Sequence, residues 1–510
     1  MTSSADLGRL RIRGATVVDG TGRQPFVADV WTHGDRISGI ETDNVSRGRQ
    51  RSGVREIDGT GKVVAPGFID VHAHDDLAVL RTPLMPFKVS QGVTTVVVGN
   101  CGIGVAPTSS ALVRELKGGP GHRSAALGAF DKISWRTFAG YLDCVDNDHP
   151  AVNVAALVGH NTIRATVCGE EERPVSTTEL ARMVDEVGIA MDAGALGLSS
   201  GLIYAPGRAA DVAELGAMAA AAGSRGGLYV THLRSEADGL TAAIDEALAI
   251  GERANCRVHI SHLKAAGRGN WGTMEAVVER LAALPHVTAD VYPYTAASTF
   301  LREALGAAGE KTPVLPSEVL IASAPDFDAA EGRTLEELAT LWGMEPAEAV
   351  DHLSSLCPTG VTVVYFVMSE PDVETVLGFD KAMIGTDGIP NGSRPHPRLY
   401  GTFPRLFGRY VREQGAPSLV DAVRRSSLLA ATTFGLGDRG SIEVGKFADL
   451  VVFDPKTITD EATYTDPLRF SSGIDHVIVN GQIAWESGAS TGARGGVAIR
   501  RQPAATSKSK

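Results

Sequence analysis

The 510-residue chain contains no run of 18 or more apolar residues, so no segment of it is long enough to cross a membrane as a helix. Basic residues are in deficit, 48 Lys and Arg against 60 Asp and Glu, for a formal net charge of −12. That balance argues against nucleic acid as a main partner, because phosphate binding needs a basic face. A small anionic ligand is not excluded, because one or two local arginines suffice for it. Cysteines number five, an odd count scattered at 101, 144, 168, 256 and 357, which rules out a disulfide framework. The opening Met1-Thr-Ser-Ser-Ala-Asp6 has neither the basic nor the apolar region of a signal peptide. A cytoplasmic protein is therefore expected.

What is present describes an ordinary globular protein, 43% hydrophobic and 21% charged. The length exceeds what one core usually supports, so a large domain and a smaller one are expected. Residues 1–65 read as short strands separated by tight turns such as Asp19-Gly20 and Gly34-Asp35. The same texture returns in Gly440-Ser-Ile-Glu-Val-Gly445, Ala448-Asp-Leu-Val-Val-Phe453 and His476-Val-Ile-Val-Asn-Gly481. Neither flank can bury a sheet face alone, so residues 1–65 and 440–500 are expected to build one small β domain together. The polar tail, 501–510, is expected to be disordered. Between the flanks, over residues 66–439, apolar strand-like runs alternate with Ala-rich segments of helical spacing, such as 178–193 and 209–222. Strands are expected at 68–72, 94–98, 153–157, 196–199, 229–232, 258–262, 288–292, 361–368 and 383–386. The alternation implies a parallel sheet and, at this length, a TIM-type (β/α)8 barrel. Nine candidates exceed eight, so one is surplus or lies outside the barrel.

The ends of these strands carry a particular chemistry. Phe68-Ile-Asp-Val71 runs into His72-Ala-His74, and residues two apart on a strand share a face. Later strands end in Gly99-Asn-Cys-Gly102, Thr231-His-Leu-Arg234, Ser261-His-Leu-Lys264 and Thr386-Asp-Gly388. Singly, each has a plainer reading: a hydrogen-bonded structural histidine, a small buried thiol, an aspartate in a turn or cap. Five strand ends of ligand type, all meeting at one barrel mouth, point instead to a metal. Imidazole, thiolate and carboxylate together suit zinc. His259, two before His262, faces the same way one layer deeper and is read as a support or core residue.

The order of His72 and His74, then His232 and His262 on successive strands, then Asp387 on the last, resembles the amidohydrolase superfamily. Finer motifs are similar to the D-aminoacylases, the N-acyl-D-amino-acid deacylases. These are Gly99-Asn-Cys-Gly102, Ser199-Ser-Gly-Leu-Ile-Tyr-Ala-Pro-Gly207, Asp290-Val-Tyr-Pro-Tyr294 and Pro395-His-Pro-Arg-Leu-Tyr-Gly-Thr-Phe-Pro404. The resemblance implies that Cys101, His232 and His262 hold a tight zinc, that His72 and His74 form a weaker second site, and that Asp387 is the catalytic acid/base. It also implies that Arg398 grips the substrate α-carboxylate, with Lys264, Tyr204, Tyr292 and Ser298 around the carboxylate and the scissile amide. Many amidohydrolases bridge two metals with a carboxylated lysine on the fourth strand. Gly197-Leu-Ser-Ser200 has no lysine there, and the Cys101 thiolate is a sensible replacement. The expected partner is a small N-acyl-D-amino acid, and the expected assembly a monomer or small homo-oligomer.

Two departures bear on the substrate. Leu263 stands where the family often has a second histidine, and residues 299–318 carry no pattern that identifies a side chain. Arg302 or Lys311 would serve an acidic D-side chain, but solvated loop charges are the simpler reading. Neutral or aromatic side chains are expected ahead of D-Glu or D-Asp. Two rival readings are a cyclic amidase of the dihydropyrimidinase or dihydroorotase kind, which lacks its bridging lysine here, and a non-catalytic zinc-binding scaffold.

Overall fold

Phe68, at the start of the first of eight parallel strands, is fully buried and stacks on Phe403 and Phe407 at 5.3 and 4.9 Å between ring centres. In the computed structural model, which describes residues 8–42, 53–305 and 314–501, these strands are β1 (Phe68–Asp70), β2 (Val93–Val98), β3 (Asn153–Ala156), β4 (Gly197–Gly201), β5 (Leu228–His232), β6 (Arg257–Ile260), β7 (Val287–Val291) and β8 (Ala382–Ile384). Strands β1 to β3 pair in parallel, as do β4 to β8. The two runs meet at both edges. Leu196 N donates to Ala156 O at 2.9 Å, and the two-residue strand Val158–Gly159 pairs with β4. At the other edge Asp387 N donates to His72 O at 2.7 Å, and Ala73 bridges Gly388 in parallel. Every residue of the eight strands is buried except Arg257 and Thr288. That explains their continuous apolar character, since helices cover a parallel sheet on its faces.

The helices between the strands begin where the sequence supplies caps. Ser176 and Glu179 form a capping box on Thr177–Asp192, and the Asp211 side chain caps Val212–Gly223. The expected strand at 361–368 forms as Thr362–Phe366, but it pairs antiparallel with Ala296–Phe300 and Val319–Ser323. It is the surplus ninth candidate, part of a three-stranded excursion between β7 and β8. Its apolar alternation reflects that separate sheet.

A further nine-stranded sheet draws on both chain ends, with Val63–Pro66 antiparallel to Leu450–Phe453 where the two contributions meet. Ala498–Ile499, at the far end of the 440–500 span, pairs in parallel with β3. Arg501, placed in the tail by its sequence, is tied in: its N–H donates to Gly194 O at 2.9 Å and its guanidinium to Arg225 O. The rest of the expected tail, 502–510, lies outside the described residues, as does Lys311. Among the described residues no helix is long and apolar enough to cross a membrane.

Candidate metal centre and active site

The ligand-type residues lie at or just past the C-terminal ends of the strands, where the backbone turns sharply. Cys101, His262 and Asp387 take left-handed conformations with φ of 54°, 35° and 48°. Non-glycine residues adopt this region at a cost, and such strain concentrates at functional sites. Glycines flank the cysteine for a steric reason. A Cβ on Gly99 would lie 2.2 Å from Leu157 O, and one on Gly102 2.2 Å from the Asn161 side chain.

Cys101 is the hub. Its Sγ lies 3.3 Å from His72 Nε2, 3.6 Å from His232 Nδ1 and 3.5 Å from His262 Nε2. Tetrahedral zinc with its usual Zn–S and Zn–N bond lengths would hold sulfur and nitrogen ligands about 3.5 Å apart. The spacing at His232 and His262 therefore fits zinc. Cys101, His232 and His262 form one candidate group, His72, His74 and Cys101 a second, and His72, His262 and Asp387 a third, with donor atoms within 4.8 Å of one another in each.

Carboxylates behind the ring fix which imidazole nitrogens face inward. Asp290 Oδ2 lies 3.2 Å from His72 Nδ1 and 2.9 Å from His259 Nε2, and Asp290 Oδ1 accepts the His262 N–H at 2.8 Å. Glu236 Oε1 lies 2.8 Å from His262 Nδ1 and 2.6 Å from Lys264 Nζ. Both histidines thus turn Nε2 towards Cys101, the carboxylate–histidine arrangement that metal sites use.

Electrostatics also favour a cation. Burial pushes the Cys101 thiol up, but His72, His232 and His262 beside it prevail and hold it well below the usual thiol range. Burial likewise opposes ionisation of Asp387, but Arg398, His72 and His262 overcome it and keep it well below the carboxylate range. Asp290 is depressed by His72 and His259 despite its burial, and Glu236 by Lys264 and His262. Burial lowers His74, yet Asp387 and Cys101 raise it to about 9. A buried thiolate with several carboxylates is a donor set that a divalent cation satisfies.

Comparison with known proteins identifies the family. The amidohydrolase family model matches residues 55–359 and 379–484. The chain is 39% identical to the D-aminoacylase of Alcaligenes xylosoxydans xylosoxydans over 501 residues, covering 97% of this chain and 98% of that one. It is equally 39% identical to the N-acyl-D-glutamate deacylase of the same organism over 477 residues, 92% of each chain. The crystal structure of N-acyl-D-glutamate deacylase from Bordetella bronchiseptica, complexed with zinc and a phosphonate inhibitor that mimics the tetrahedral intermediate, superposes with a TM-score of 0.87 at 36% identity, covering 97% of this chain and 100% of that one. This chain belongs to the amidohydrolase family, in its D-aminoacylase group.

In this amidohydrolase the residues singled out by sequence converge. His74, Cys101, Tyr204, His232, His262, Lys264, Tyr292, Ser298 and Asp387 line one pocket. His72 and Arg398 lie directly behind it, both wholly buried. Arg398 Nη2 donates to Asp387 Oδ2 at 2.9 Å and to Ser298 O at 3.3 Å, and its guanidinium lies 4.5 Å from the Tyr292 ring centre. Its Nε and Nη1 meet no carboxylate or carbonyl among the described residues, and the Tyr292 hydroxyl faces the guanidinium. His396 helps hold Arg398, accepting its backbone N–H at Nδ1 while Nε2 donates to Ala296 O. Burial and the nearby guanidinium keep His396 neutral, as this pairing requires.

Other placements refine the sequence reading. The Lys264 ammonium is committed to Glu236, and the Tyr204 hydroxyl lies 2.9 Å from Thr299 Oγ1. Arg302 is 59% exposed and paired with Asp351 on the surface, so it is not in the pocket. His259 supports Asp290 and reaches no pocket donor. Sequence reasoning missed the roles of Glu236 and Asp290. Asp290 shares a strand face with Tyr292, and Glu236 follows His232 by four residues, but only the fold shows which ring nitrogens they meet.

Proposed function

We propose that this protein is a zinc-dependent N-acyl-D-amino-acid deacylase, hydrolysing a linear amide to a carboxylate and a free D-amino acid. The observation that carries the proposal is the Cys101–His232–His262 cluster beside the Asp387–Arg398 pair. The scaffold is read as a (β/α)8 barrel, with residues 1–65 and 440–500 forming a small β domain. The linked edges between β3 and β4 and between β8 and β1 support closure of the barrel.

Cys101, His232 and His262 would hold the tight zinc, and His72 and His74, sharing Cys101, a weaker second metal. Bound there, zinc supplies acidity to a water molecule near neutral pH and polarisation to the amide carbonyl. The chain's own groups do the rest. Asp387 takes a proton from the attacking water and returns it to the departing amine nitrogen. Its ionised state suits the first step, and His74, 3.1 Å away, steadies the carboxylate. Arg398 Nε and Nη1, which meet no carboxylate among the described residues, would receive the substrate α-carboxylate, where a guanidinium binds in bidentate fashion. Tyr292 would add its hydroxyl beside the guanidinium. Ile103, Ala126, Phe300 and Ile389 form the apolar part of the wall. Among the described residues Arg302 is turned to solvent, and this wall suits neutral or aromatic D-side chains better than acidic ones.

The test is a panel of N-acetyl-D- and L-Met, Phe, Glu and Asp, with hydantoin and dihydrouracil included. Turnover confined to the D-series, fastest on Met and Phe, is expected. Turnover of the cyclic amides alone would contradict the proposal, and preference for D-Glu would overturn the side-chain assignment.

A further inference from the structure

Lys88, on the short helix Pro86–Val89, is wholly buried, and the mechanism above makes no use of it. Burying an ammonium is costly unless every N–H is matched. Here each is. Lys88 Nζ lies 2.6 Å from Asp70 Oδ2, 2.7 Å from Thr386 Oγ1 and 3.1 Å from Asp75 Oδ2, and none of these partners is exposed. The three partners are not arbitrary. Asp70 lies two residues before His72, Asp75 directly follows His74, and Thr386 directly precedes Asp387.

The contacts then pass to the backbone of both strand ends. Asp70 Oδ1 accepts the N–H of Thr386 at 2.8 Å and of His72 at 3.2 Å, so one carboxylate oxygen spans β1 and β8. Thr386 Oγ1 donates to Asp70 Oδ2 at 2.7 Å and accepts the Gly388 N–H at 3.2 Å, gripping the peptide that follows Asp387. That residue holds a left-handed φ of 48°, which neighbouring contacts must enforce.

We propose that Lys88, Asp70 and Thr386 form a positioning network that sets the register between the proton carrier Asp387 and the His72–His74 pair. This rests on the deacylase reading for the role of Asp387. Asp70 makes the bonds between the strands, and Lys88 neutralises and anchors Asp70. The Thr386 hydroxyl transmits the constraint to Asp387. None of the three touches substrate.

Lys88→Met tests the network, but it leaves two buried carboxylates unpaired and is liable to unfold the protein. Thr386→Val is the deciding variant, because it keeps the branched shape and removes only the hydroxyl. In zinc-loaded protein, Thr386→Val should lower kcat by about 10²-fold with KM changed less than about threefold, the scale of a misplaced catalytic group. Thr386→Ser should recover most of the loss. Hydrogen exchange should quicken at the amides of residues 386–388 and not elsewhere, a readout independent of activity. The proposal is overturned if Thr386→Val keeps wild-type kcat, if serine is no better than valine, or if exchange rises uniformly. A wild-type protein inert towards N-acyl-D-amino acids, with exchange still changed only locally by Thr386→Val, would remove the deacylase reading and leave the network standing.

Discussion

Cys101 is the donor that both two-histidine sets share, with three imidazole nitrogens within 3.6 Å of its sulfur. Cys101→Ala should therefore remove most bound zinc and abolish turnover. Stoichiometric zinc in that variant, measured by atomic absorption, would disprove its role as a ligand. Asp387 belongs to a different part of the chemistry. Asp387→Ala should retain zinc while kcat falls by about 10²–10⁴-fold, the usual contribution of a positioned acid–base group. Normal turnover would mean that another base carries the proton. The residues in these two predictions were legible in the sequence because their types are rare at strand ends and informative together. Glu236 and Asp290 were not, because a carboxylate orienting an imidazole is indistinguishable in sequence from a solvated charge. Lys88 was hidden for the same reason. A lysine on a short helix looks exposed until the fold surrounds it.

At the scale of elements, the helix His160–Cys168 begins directly after the Val158–Gly159 strand, and its first turn supports the loops that carry the site. Asn161 Nδ2 donates to Gly201 O and Tyr204 O, and Thr162 Oγ1 accepts the Gly104 N–H at 2.8 Å. Glu214, on Val212–Gly223, fixes this helix through His160 at 2.8 Å and Arg164 at 2.6 Å. Burial raises Glu214, but His160 and Arg164 outweigh it and depress its pKa. The folded-state pKa thus lies below the unfolded value of about 4.3. The stabilisation is full above that value and is lost as pH falls through it towards the folded pKa. Glu214→Gln should accordingly lower Tm near neutral pH and flatten its decline below about pH 4.3. A parallel downward shift at all pH values would assign Glu214 a packing role alone. The strands themselves were readable within a few residues from their apolar runs. The antiparallel role of Thr362–Phe366 was not, because its pairing partners lie in the segment between β7 and β8, which showed no motif.

At the scale of the whole molecule, one chain builds two runs of parallel strands whose carboxyl ends share a pocket and a further sheet to which both flanks contribute. The parallel pairing could be anticipated because alternating strands and helices leave few topologies. The return of Ala498–Ile499 to β3 could not, because a two-residue pairing has no periodicity to read. Under the proposed deacylase function, activity depends on a metal held at the carboxyl ends of these strands and is selective for one hand of substrate. The most direct measurement strips the protein with a chelator and adds zinc back while following hydrolysis of N-acetyl-D- and N-acetyl-L-methionine. Activity on the D-form should disappear on stripping and return in proportion to zinc, reaching its maximum at one equivalent per chain, with the L-form inert throughout. Undiminished activity after zinc removal, or equal hydrolysis of the L-form, would contradict the account.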